Sequence, residues 1–311
     1  MTRATKSALL IAMLSFLAAC NVEESQSAHM LRTGTIKNTS LDEASGLQSS
    51  GLIPGVYFLH NDDGDPRIFA INAKGGDLGS FIVAGARNRD WEDLTRAPSE
   101  HGPLLVIADT GDNFARNKSV TLYFVPEPEV GQSGHYSGSY PVLHTLTLRY
   151  PDGPRDCESM AYDPSSDRIY LLSKRDKPAR IFSISLADAL AKDTALLRFD
   201  GEVYPFRPPT ARDRLSFGPQ QVAWISQPTG LDFNADGTRA AVISYRSLYL
   251  FNRRQGESWE SAFARKPVEF IGPRSKHEEA VGFMSDGHSI LVTTEGIPAP
   301  VYRFRLLPKH E

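Results

Sequence analysis

The stretch "VYFLHNDDGDPRIFAI" (Val56–Ile71) decides the fold. Two β-rich runs, "VYFLHN" and "IFAI", flank the polar turn "DDGDP". Runs of this length around an Asp/Gly/Pro turn predict an antiparallel hairpin. The same unit returns four times. "LLVIAD" (104–109) is followed by "LYFV" (122–125), "IYLLSK" (169–174) by "IFSI" (181–184), "AAVISY" (240–245) by "LYLF" (248–251), and "ILVTTE" (290–295) by "VYRF" (301–304). Turn signals such as "TGDN", "KRDKP" and "EGIPAP" lie between the partners.

Working outward, each hairpin is preceded by a weaker strand: "EASGL" (43–47), "EDLT" (92–95), "ESMAY" (158–162), "QPTGLDF" (227–233) and "EAVGF" (279–283). Further strands fill the gaps: "SFIVAG", "HTLTLRY", "LLRFDGEV" and "PVEFIG". The repeat is therefore inner, second, third and outer strand, recurring about every 50–70 residues. That is the four-stranded blade of a β-propeller, with loops added. The expected fold is all-β: five four-stranded blades, with room for a sixth in the wide gap 186–226. The fifth outer strand is missing from its own repeat. The N-terminal "GTIKN" (34–38) is expected to supply it and close the ring, which removes an open sheet edge.

The chain has 311 residues, a formal net charge of −3 and two cysteines. No basic patch marks a nucleic-acid partner, and two cysteines exclude a disulfide scaffold. Residues 1–19 combine Arg3 and Lys6 with the apolar run "SALLIAMLSFLAA", which reads as a processed export signal rather than a mature span. It ends in "LAAC", which resembles the lipobox of bacterial lipoproteins. That resemblance implies cleavage before Cys20 and lipid (palmitate among it) on the Cys20 thiol. Residues 20–30 then form a polar tether, and 31–311 one propeller domain. Asn21 lacks the Asp that signals inner-membrane retention. The expected place is the bacterial cell envelope, on the periplasmic side of the outer membrane where two membranes exist. Cys157 stands between Asp156 and Glu158, an acidic setting that favours a buried strand thiol over a nucleophile.

Aligned on their small residues (Gly46, Thr95, Ala161, Gly230, Gly282), the inner strands carry Glu43, Glu92, Glu158, Gln227 and Glu279 three positions earlier. In a propeller these side chains converge at one channel mouth. Like charges there repel, more so when desolvated. A hard divalent cation, Ca²⁺ or another, would offset the cost with oxygen ligands. A cationic ligand, protonated carboxyls, or plain hydrogen bonding to the next blade's N–H groups would also do so. The second strands end on the same face. Their tips, Asn61, Asp62, Asp109, Asp112, Lys174, Arg246 and Glu295, are candidate ligand contacts for a small polar molecule. The loop 204–226 is expected to cover that opening. "NDDGD" resembles the start of a Ca²⁺ loop, but its twelfth position is Asn72, so it reads as a polar turn.

No G-x-S-x-G elbow, P-loop, H-E-x-x-H or C-x-x-C occurs. The histidines have no ligand spacing, although His60 and His277 stand near the face. No catalytic residue is assigned. Taken together, "EASGL", "HNDDGDPRIFAI", "DWEDL", "IADTGDN", "LYFVPEP", "CESMAYD" and "TTEGIPAPVYRF" resemble a group of bacterial exported β-propeller proteins, distantly similar to phytase-like and gluconolactonase-like propellers. The resemblance implies carboxylate-held divalent metal at the mouth, placed here on Glu43, Glu92, Glu158 and Glu279. It also implies ester hydrolysis in some relatives. Gln227 and the lack of a basic phosphate cluster depart from that pattern. Three functions follow: a lipid-anchored envelope protein binding a cation or small polar ligand, a metal-dependent phosphate or lactone esterase, or a protein-interaction scaffold. In the esterase, Glu92 or Glu158 would act as general base and Lys174 or Arg246 would steady an anion.

Overall fold

The computed structural model describes residues 26–272 and 277–308. The signal segment 1–19, the lipidation site Cys20 and the tether up to residue 25 lie outside the described residues. Five sheets, each with an antiparallel core of four strands, make up the fold. Their inner strands are Ala44–Ser49, Trp91–Ala97, Cys157–Asp163, Pro228–Phe233 and Glu278–Phe283. In four blades the second, third and outer strands follow in order. In the fifth, the N-terminal strand Ala28–Ile36 pairs antiparallel with Ala299–Leu306, from Ala28 opposite Leu306 to Ile36 opposite Ala299. The ring is therefore a five-bladed β-propeller closed by its N-terminal strand. That strand reaches back three residues into the stretch read as tether and stops before Lys37.

Blades stack on both faces, so the second strands read as continuous apolar runs rather than alternating ones. Leu104–Asp109, for example, is buried throughout. Five apolar clusters fill the five interfaces between neighbouring blades. Cys157 is wholly buried in one of them, and burial pushes its thiol up to about 12, as befits a packing residue.

The gap 186–226 holds no sixth blade. It contains helix α1 (Leu186–Ala191), a short strand Thr194–Leu196, the outer strand Arg198–Glu202 and helix α2 (Ala211–Gln221). The short strand adds in parallel to the second blade, and Ser139–Pro141 does the same for the first, so two blades have a fifth strand. A third helix, α3 (Trp259–Phe263), packs its aromatic side chains into the interface of blades three and four. Helix α2 was hidden in the sequence by Gly218 and Pro219, which kink it. Its start is fixed by a capping box. Thr210 Oγ1 accepts from the Asp213 N–H, and the Asp213 carboxylate accepts from the Thr210 N–H. Among the described residues no helix is long and apolar enough to cross a membrane.

Candidate functional site

The inner strands contain a bulge, and the bulge builds the site. Trp91 faces Asp109 but Asp93 faces Ala108, so Glu92 is the extra residue. Glu158 and Glu279 are extra in the same way, between Cys157 and Ser159 and between Glu278 and Ala280. A bulge breaks the two-residue alternation and re-aims side chains. This explains how "WEDL" buries two successive acids, Glu92 and Asp93.

The register also corrects the five-membered ring. In the fourth blade the residue matching Glu92 is Thr229; in the first the irregularity comes later, between Ser45 and Gln48, and Ser45 follows the first paired residue of its strand as Glu92 does. Glu43 and Gln227 stand two positions earlier, level with Asp90 and Asp156. The slip preserved the side of the strand, so alternation could not reveal it. The equivalent set is therefore Glu92, Glu158 and Glu279 with two hydroxyls. Ser45 Oγ donates to the Glu92 carbonyl at 2.6 Å and Thr229 Oγ1 to the Glu278 carbonyl at 2.8 Å, tying inner strands together.

The three carboxylates are buried and face one ammonium. Lys174, 7% exposed, bonds Glu158 and donates to the Tyr245 hydroxyl at 3.2 Å. Burial pushes Glu158 and Glu279 up to about 8. Lys174 opposes this in both, while Glu279 and Asp156 add to it in Glu158, and Glu295 adds to it in Glu279. Glu92 is raised well above its usual range by burial and then by Glu158. Burial would lower Lys174, but Glu158, Glu279 and Glu92 outweigh it and hold the ammonium charged.

Carboxylate oxygens of Glu92, Asp156 and Glu158 lie within 4.8 Å of one another. Asp156 accepts from the Asp112 N–H at 2.9 Å and from Arg175 Nε at 2.6 Å. Glu92 has no hydrogen-bond donor among the described residues. It leans instead on Gly111, where an added Cβ would collide with its Oε1 and with Asp90 Oδ2. Only a glycine leaves these two acids their place. A second group, Glu43, Asp62 and Asp63, sits at the rim with oxygens again within 4.8 Å. Burial, then Glu43, pushes Asp62 up to about 7.

The strand tips divide by what already holds them. Lys174, Asp62 and Glu295 are at the mouth; Glu295 stands 3.4 Å from His277 and helps push the Glu279 carboxyl up, favouring its neutral form. Asp109 is tied to the Asp90 N–H at 3.2 Å and to Arg89 at 3.3 Å, and burial pushes it up to about 6. Three of the tips are structural instead. Asn61 braces the loop ahead of the first inner strand, bonding Ser40 and the Glu43 N–H. Asp112 closes its own turn on the Asn117 N–H at 2.6 Å. Arg246 is 1% exposed, paired with Asp213 at 2.7 Å, and donates to the Arg207 carbonyl at 2.9 Å. It anchors α2 and cannot steady a bound anion. The segment 204–226 does lie on this face, where Gln221 approaches His277 at 3.4 Å. His60 is wholly buried against Trp91, and burial lowers it to about 4, so it is a neutral packing group. Gln227 is buried, with its Oε1 lacking a hydrogen bond among the described residues.

Sequence reasoning missed the acid that matters most to the channel. Asp93, 1% exposed, accepts from the Leu94 N–H at 2.9 Å, from Met160 N–H at 2.8 Å and from Leu231 N–H at 3.1 Å. Those three groups belong to the second, third and fourth blades, so one carboxylate joins three inner strands across the axis. Gln48, Thr95 and Asp232 do a smaller version of this. Their side chains accept from the N–H of Arg96, Tyr162 and Phe283 in the next blade, at 3.0, 3.0 and 2.7 Å. The hydrogen-bonding role weighed for the ring glutamates thus falls to their neighbours.

No family model and no curated protein matches the sequence. Among solved structures, the chain is similar to the β-propeller domain of Cps50 (Swd1) from Myceliophteria thermophila. The identity is 12% and the TM-score 0.38; the match covers 86% of this chain and 65% of that one.

Proposed function

We propose that this protein is a binding propeller of the bacterial cell envelope, lipid-anchored through Cys20, that takes a divalent cation at the acidic mouth. A small polar ligand would be held with it. The observation that carries this reading is the convergence of Glu92, Asp156 and Glu158 oxygens within 4.8 Å, with Glu92 lacking a donor. Hard cations take such oxygens readily, and Ca²⁺ tolerates the irregular geometry a bulged strand provides. Lys174 already serves Glu158, so a bound cation shares that carboxylate with an ammonium. Affinity is therefore expected to be modest, with a dissociation constant on the order of 10⁻⁴–10⁻³ M.

Calorimetric titration of the chelator-treated protein with CaCl₂ tests this. Glu92→Gln is expected to weaken binding about tenfold or more, because it removes the ligand with no other partner. Binding unchanged by Glu92→Gln, or no heat at all, would leave the scaffold reading. Turnover of phosphate or lactone esters by the calcium-loaded protein, lost in Glu158→Gln, would replace binding by hydrolysis. The anchor has its own test. Palmitate labelling in a bacterial host is expected for the wild type and absent for Cys20→Ser. Equal labelling of both would remove the anchor from the reading.

A further inference from the structure

We propose that the opposite end of the channel holds a second, separate site for a small organic molecule bearing a carboxylate, with Arg96 as its anchor. The inner strands end there in a cavity of about 700 Å³ to which all five blades contribute. That volume lies within the range of small-molecule sites. It is a cup rather than a tunnel. The Asp93 carboxylate, bonded to the Met160 and Leu231 N–H groups, crosses the axis above it. The walls are largely apolar, with Tyr162, Phe233, Phe283 and several prolines.

Two charged side chains line this cup, Arg96 and Asp232. Asp232 is occupied: its oxygens accept from the Phe233 N–H at 2.9 Å and the Phe283 N–H at 2.7 Å. Arg96 is not. Among the described residues its guanidinium has no hydrogen-bond acceptor and no carboxylate within ion-pair distance. It is half-buried and lies against Gly51, where an added Cβ would come within 2.7 Å of Nη1. The glycine thus lets the fork lie along the wall. Glu127, the nearby acid, is already taken by Ser50 Oγ and by the Gly51 and Leu52 N–H groups. A planar guanidinium that acts on Asp232 only through space and has no hydrogen-bonded partner, beside aromatic and proline walls, fits a carboxylate on an apolar body, held bidentately. The site is independent of the acidic mouth and does not rest on cation binding there.

Ligand-observed NMR and calorimetry on the full chain, with benzoate and phenylacetate against benzamide and phenylacetamide, decide the matter. The carboxylates are expected to bind about tenfold or more tightly than their amides, the gain of a charge-assisted pair. Arg96→Gln should abolish that preference and Arg96→Lys should retain part of it, with both variants melting like the wild type. Glu92→Gln should leave it unchanged. Equal binding of acids and amides, a preference that survives Arg96→Gln, inorganic phosphate binding as well as the organic acids, or no binding of either carboxylate would overturn the proposal.

Discussion

Asp93→Ala is expected to lower the free energy of unfolding by roughly 3–5 kcal/mol, the cost of breaking a fully buried hydrogen-bonded network. The substitution leaves three inner-strand N–H groups without an acceptor, those of Leu94, Met160 and Leu231. Each buried unsatisfied donor costs about 1–3 kcal/mol, less where water reaches it. Three blades lose their common tie at once, so the loss should appear as a lower urea midpoint for the whole domain. Asp93→Asn should cost less. Its carbonyl can still accept from Met160 and Leu231, while its amide meets the Leu94 N–H donor to donor. Burial raises the Asp93 pKa well above its usual range, against the pull of those N–H groups. For an acid shifted upward, the stabilisation is complete below the unfolded value and is lost as pH rises through the folded one. The Asn variant should therefore show a flatter stability–pH curve than the wild type. A loss below about 1 kcal/mol in Asp93→Ala would mean that water replaces the carboxylate.

Lys174→Met is expected to destabilise by a similar amount, roughly 3–5 kcal/mol, at pH 8.5. It should do so far less at pH 5. Among the described residues the ammonium is the one cation bonded to Glu158, and Glu92 and Glu279 also act on it. Without it, the Glu158 and Glu279 carboxyls must be driven neutral by taking up protons, or stay ionised and buried with nothing to offset them, and either costs more as pH rises. Glu158 and Glu279 are already pushed up to about 8 with the lysine present. At pH 5 both are protonated, so little charge is left uncompensated. The sign follows from linkage: these raised acids stabilise fully below their unfolded values and lose that contribution as pH rises through about 8. Lysine stays charged over the whole range, since its own pKa is raised. Melting at the two pH values checks this. An equal loss at both would assign Lys174 a packing role only.

Both predictions rest on the bulge, and the bulge shows where sequence reading stopped. The strand order was legible because each run of Val, Ile, Leu and aromatic residues is bounded by its own turn signals. "LLVIAD", "IYLLSK" and "AAVISY" became second strands within a residue or two of the reading. The carboxylates Glu92, Glu158 and Glu279 were found because an acid at the start of an apolar strand is anomalous wherever it occurs. Glu43 and Gln227 joined them wrongly, because a two-residue slip keeps side chains on the same face. Asp93 was overlooked because regular alternation would have turned it away from the axis beside Glu92. Arg246 read as a free cation at a strand tip; the capping box of α2 supplies the Asp213 partner that claims it.

By itself the sequence determined an all-β ring of five repeats closed by its first strand, because strand periodicity and turn chemistry are local properties of the chain. Tertiary structure alone decided which acids meet, which are held by backbone N–H groups of other blades, and which charges have no partner. Those outcomes depend on register and on distances between blades far apart in sequence. The tie from Asp93 to Leu231 spans 138 residues. No local pattern encodes such a contact; it appears only when five bulged strands converge on one axis.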